Sequence, residues 1–142
     1  REIANYVESL NKDFNVEDFN KYVEYASRAN SFGVVVNIGN DIDIESLVNI
    51  MMPSAKLAES VNVNILFETS KRLAKTEKVL EIINLFAQAN IKVCWNIRET
   101  FFTAKETADQ TIQTLGAYIG YVRLGDKKDC KKYGCFAYGK PL

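Results

Sequence analysis

Four polar residues stand where apolar runs of the chain stop. Asn37 follows Phe32-Gly33-Val34-Val35-Val36, Glu68 follows Val63-Asn64-Ile65-Leu66-Phe67, Asn96 follows Ile91-Lys92-Val93-Cys94-Trp95, and Arg123 stands near the end of Tyr118 to Leu124. A carboxylate in such a set can act as a proton-transfer base, and a guanidinium can stabilise an anion or a developing enolate. The plainer reading is that a strand must turn polar on leaving the core, with Glu68 and Arg123 neutralising each other. Which applies depends on whether the fold brings the four ends together.

The elements between them point to an α/β fold. Ile3, Tyr6, Val7 and Leu10 fall at helical spacing and predict a helix from Glu2 to Leu10. Phe19, Tyr22, Val23 and Ala26 predict a second from Val16 to Asn30, with Asn15 as N-cap and Asp18 in the first turn. The run to Val36 has the β-branched character of a buried strand. A helix from about Ile44 to Asn62 follows, which Pro53 should kink or divide because proline removes a backbone donor. After the strand ending in Glu68, Thr76 is the expected cap of a helix carrying Val79, Leu80, Ile83, Phe86 and Ala87 on one stripe, with Asn90 as its left-handed stop. Thr103 and Glu106 stand at capping-box spacing for the last helix, and Gly116 sits just past Leu115. Strands near positions 33, 63, 91 and 118, with a helix between each pair, make a βα repeat and hence a parallel sheet.

Composition narrows the function classes. The 142 residues are expected to form one α/β domain, with a core of its own. Lys+Arg and Asp+Glu both number 18, so no net field draws nucleic acid or an anionic membrane. Apolar runs are too short to span a bilayer and the first residues carry no secretory pattern, so a cytoplasmic location is expected. There is no histidine, which removes the commonest general base and metal ligand. Cys94, Cys130 and Cys135 form no CxxC; Cys130 and Cys135 could pair in an oxidising setting, and free thiols are the expectation. Neither a GxGxxG nor a P-loop occurs, and no cofactor is implied. Lys127, Lys128, Lys131 and Lys132 lie among Tyr133, Phe136 and Tyr138, but Asp126 and Asp129 dilute that cluster, and a solvated loop is the expectation.

Three pieces resemble the xylose isomerase-like TIM-barrel superfamily, the group of sugar phosphate isomerases/epimerases and family-two AP endonucleases. Asn64-Ile65-Leu66-Phe67-Glu68-Thr69 is similar to the strand bearing a metal-binding glutamate. Val93-Cys94-Trp95-Asn96-Ile97-Arg98-Glu99-Thr100 resembles a strand with a ligand Asp followed three residues later by a His. Ile119-Gly120-Tyr121-Val122-Arg123-Leu124-Gly125-Asp126 resembles a His-Leu-Lys-Asp segment, and Tyr138-Gly139-Lys140-Pro141 the glycine-rich stretch after it. The similarity runs from about residue 33 to 141, and the family's last glutamate ligand would fall beyond Leu142.

Carried over by position, Glu68 keeps the family residue. Asn96 stands at the Asp, Glu99 at the nearby His and Arg123 at the ligand His. An arginine brings positive charge and no lone pair, so no metal is expected in the family's manner. The resemblance implies Glu68 and Arg123 as the catalytic pair of any surviving activity. Asn37, Trp95, Asn96, Glu99 and Asp126 would contact a small anionic or sugar-like ligand. It implies a partial (β/α) barrel of about four strands, since a full barrel takes about 250 residues. The chain would then be a fragment or module of a longer barrel protein, or half of a homodimer that completes the barrel. An open flavodoxin-like sheet is the alternative. The functional expectation is a barrel domain that has lost metal-dependent catalysis and serves as a binding or interaction module of a larger enzyme. An active isomerase/epimerase using Glu68 as base is the second possibility.

Overall fold

The computed structural model describes residues 3–5 and 10–124. Five parallel strands lie in sequential order: β1 (Ile3–Asn5), β2 (Gly33–Val36), β3 (Asn64–Glu68), β4 (Ile91–Asn96) and β5 (Ile119–Arg123). Helices α1 (Val16–Arg28), α2 (Ile44–Ser60), α3 (Thr76–Phe86) and α4 (Ala108–Leu115) fill the crossovers. The four expected strands are all present.

The expected helix from Glu2 to Leu10 is not formed by Ile3–Asn5, which pairs instead with β2 in the register Ile3↔Gly33, Ala4↔Val34, Asn5↔Val35. A helix of that length is marginal in water on its own, whereas the open edge of β2 offers backbone partners at once. Leu10 continues this pairing, its N–H donating to the Asn37 carbonyl at 2.7 Å.

Layering separates a barrel sector from an open doubly wound sheet. Side chains from α1, α2, α3 and α4, among them Phe19, Met51, Ile82 and Leu115, join Val34, Val36, Ile65, Phe67 and Val93 in one core. The opposite face holds Val35, Leu66 and Cys94, with only Phe32 packed on them as a further hydrophobic among the described residues. The described helices therefore all lie on one side of the sheet, and the order of the described strands does not reverse. Both features are those of a (β/α) barrel and neither fits the flavodoxin-like alternative.

Local chemistry explains the helix boundaries. Asn15 Oδ1 accepts the Asp18 N–H at 3.1 Å and starts α1 as expected. Pro53 leaves α2 undivided from Ile44 to Ser60. Pro53 and Asn49, whose carbonyl loses its donor, are both exposed, so water can take the missing place. Three expected caps are placed differently. Lys75 rather than Thr76 is the N-cap of α3, and the Glu106 carboxylate accepts both the Thr76 N–H at 3.1 Å and its hydroxyl at 2.9 Å. The left-handed stop of α3 is Ala87, with φ 50°, while Asn90 is buried and donates to the Ala55 and Val63 carbonyls. The capping box of α4 is Thr107 with Gln110, because Glu106 is already committed to α3.

Candidate functional site

Strand alternation sends every second side chain to the inner face. Val35, Leu66 and Cys94 point there, so Asn37, Glu68 and Asn96, two residues further on, leave the carboxyl ends of β2, β3 and β4 on that same face. Ligand and catalytic groups of α/β barrels sit at this end.

Arg123 reaches the inner face by a different route. Ile119 pairs with Val93 and packs towards the helical core, so regular alternation would turn Arg123 to the helices as well. The register shifts here: Cys94 pairs with Tyr121, Trp95 with Val122 and Asn96 with Arg123. The extra residue is Gly120, and this β-bulge inverts the alternation for the rest of β5. A Cβ at Gly120 would meet Phe32 at 3.1 Å and Lys92 at 3.2 Å, which places the glycine against the inner face. The bulge thus turns Arg123 inward.

There Arg123 Nη1 lies 2.5 Å from Glu68 Oε1. Glu68 is 6% exposed, while the Arg123 side chain keeps 36% of its surface in water. Oε1 has the cation beside it but, among the described residues, no donor aligned as a hydrogen bond, so the contact is an ion pair first. Cys94 adjoins Glu68 in register and is fully buried. Its thiol is pushed up to about 12, by burial first, with Arg123 pulling it down and Glu68 pushing it up. It is a packing thiol in the field of the pair.

The neighbouring loops are tied together. Asn37 Oδ1 accepts the Ser70 hydroxyl at 2.9 Å, joining the ends of β2 and β3. Arg72 donates to the carbonyls of Gly39 at 3.1 Å and Ile42 at 2.5 Å, pinning the β2–α2 loop. Asn96 Oδ1 accepts the Glu99 N–H at 3.3 Å and opens a short π-helix, Glu99–Thr103. The Glu99 carboxylate accepts from Arg98 at 2.7 Å, from the Thr103 hydroxyl at 3.1 Å and from the Lys71 N–H at 3.4 Å. This last bond reaches back to the loop after β3.

The structure therefore brings Asn37, Glu68, Asn96 and Arg123 to one end of one face. Glu99 is beside them, but its oxygens are engaged in holding loops. Trp95 is not in the set: it points to the opposite face, 7% exposed, and its Nε1 donates to Thr100 Oγ1 at 2.9 Å. Asp126, Cys130, Cys135 and the lysine cluster lie outside the described residues. Sequence reading missed Ser70 and Arg72, which position the rim. Their only signal was a polar run straight after a strand.

The fold places this rim on a sector of a TIM-barrel-like (β/α) sheet. Solved structures with this fold include E. coli 3-keto-D-glucoside 4-epimerase YcjR, at TM-score 0.70 and 10% identity, over 89% of this chain and 59% of that one. D-psicose 3-epimerase from Clostridium cellulolyticum H10 is similar at TM-score 0.67 and 16% identity, over 78% and 44%. The IOLI protein, solved with a binding zinc atom, is similar at TM-score 0.71 and 17% identity, over 88% and 51%. This chain spans about half the length of these structures. No family model matches the sequence, and no curated protein matches it either.

The side chains of the described residues do not fit the metal that the family resemblance implies. Among the described residues, no three of Cys, Asp or Glu converge on a point where an ion would sit. Glu68 is paired with Arg123, Asn96 offers a neutral amide, and Glu99 is held by three donors. A divalent ion placed beside Glu68 would meet the guanidinium head-on.

Proposed function

We propose that this chain is a sugar phosphate isomerase/epimerase-like barrel domain without metal-dependent catalysis, acting as a binding module of a larger enzyme. Its ligand is a small anionic or sugar-like molecule. The observation that carries this reading is the Glu68–Arg123 ion pair at the strand ends, where the family resemblance puts a metal-ligating pair. A guanidinium binds carboxylate or phosphate oxygens in a planar, two-point fashion that a metal-free site can use. Asn37 and Asn96 flank it with amides at the same strand ends.

Direct proton abstraction by Glu68 has less support. Its Oε1 faces a cation at 2.5 Å and is buried, so that oxygen is not presented to a substrate. The remainder of a longer chain, or a second copy, would supply the strands that complete the barrel.

A thermal-shift screen of phosphorylated and carboxylated sugars in EDTA-containing buffer tests the proposal. A stabilising ligand is expected, with the shift lost in Arg123→Met. An isomerase or epimerase activity that EDTA abolishes and Glu68→Gln removes would contradict it.

A further inference from the structure

The strongest disagreement between the residues present and the metal implied for this fold is at Arg123. Glu68 on β3, Cys94 on β4 and Arg123 on β5 occupy three adjacent strands on the inner face, with Glu68 paired to Cys94 in register and Arg123 two residues further along, opposite Asn96. A buried carboxylate needs a countercharge, and a bound divalent ion or a side-chain cation can each provide it. Here the guanidinium does so at 2.5 Å, and it is the Gly120 bulge that delivers it to the inner face. Had β5 kept regular alternation, Arg123 would face the helices and Glu68 would have no such partner.

Resting on the reading proposed above, we infer that the Arg123 guanidinium holds the cation position of this site. It is the built-in countercharge of Glu68, excludes divalent ions, and makes the site specific for anions. Arg123 is accordingly a specificity-determining residue rather than a remnant. One substitution should reverse the preference. Histidine at position 123 would replace the guanidinium with an imidazole on the face that carries the Glu68 carboxylate and the Cys94 sulfur, three donor types that suit zinc.

Isothermal titration of the whole chain with Zn²⁺, alongside Arg123→His and Arg123→Lys, tests this. The wild type and Arg123→Lys should show no saturable zinc binding, while Arg123→His should bind one ion per chain at least about 100-fold more tightly than the wild type. If Arg123→His is unfolded alone, zinc should restore its fold, because a ligand that binds only the native state shifts the equilibrium towards it. Adding Cys94→Ser should weaken the acquired site. Tight zinc binding by the wild type would overturn both this inference and the metal-independent reading. A wild type without zinc affinity and an Arg123→His variant that gains none, folded or not, would overturn the role given to Arg123 alone.

Discussion

β3 and β5 contribute the two halves of the ion pair and could hardly differ more in setting. Ile65, Leu66 and Phe67 of β3 are fully buried, covered on the helical face by the main core and on the inner face by Val35, Cys94 and Phe32. On β5, Tyr121 and Val122 are each 44% exposed, and Leu124 just past its end 45%. The site is thus built from a fixed carboxylate in the middle of the sheet and a cation on its last described strand. The difference separates stability from recognition: β3 holds the fold together, while β5 delivers charge to it through one bulge.

Substitutions on the two strands sharpen this contrast. Phe67 is fully buried and its ring lies 5.8 Å from that of Phe86, so Phe67→Ala should cost about 3–5 kcal/mol in urea unfolding. Val122→Ala, on the exposed strand, should stay within about 0.5 kcal/mol. A comparable loss at both positions would dissolve the distinction. Arg123→Met should fall between them, at about 1–2 kcal/mol, because it strands a buried carboxylate but removes a side chain about a third exposed to solvent screening. Arg123→Lys should recover part of that loss.

Away from the strands, Glu106→Ala should cost about 1 kcal/mol by removing the carboxylate that caps α3, an effect readable in the same assay. The smallest effect concerns Cys94 near neutral pH. With its thiol raised to about 12, almost none is thiolate at pH 8, and iodoacetamide should leave it unmodified in the native protein while labelling it in urea. The sign of its pH dependence is fixed. The unfolded thiol loses its proton near 9.0 while the folded one keeps it, so this contribution to stability is whole below pH 9 and is lost as the pH climbs towards 12. Cys94→Ser should flatten that alkaline slope.

Sequence pattern revealed some of this and hid the rest for physical reasons. β2, β3, β4 and β5 announced themselves as apolar runs with polar exits, and buried parallel strands read that way because both faces are covered. β1 did not, since three residues carry too little periodicity and its formation depends on the edge that β2 offers. Glu106 sits at capping-box spacing from Thr103, and nothing local tells that it reaches thirty residues back to Thr76. Trp95 lies next to Asn96 in sequence, yet alternation puts it on the other side of the sheet. Convergence of Glu68 and Arg123 was foreseeable from strand ends, but only the Gly120 bulge decides which face Arg123 takes. A glycine inside a strand was the available sign of it.

The central claim is that a side-chain cation replaces a metal at the strand ends. Elemental analysis of the purified chain, before and after EDTA dialysis and with the melting temperature followed in parallel, tests it most directly. The account predicts less than stoichiometric divalent metal and an unchanged melting temperature. One tightly held divalent ion per chain, whose removal lowers the melting temperature, would contradict it.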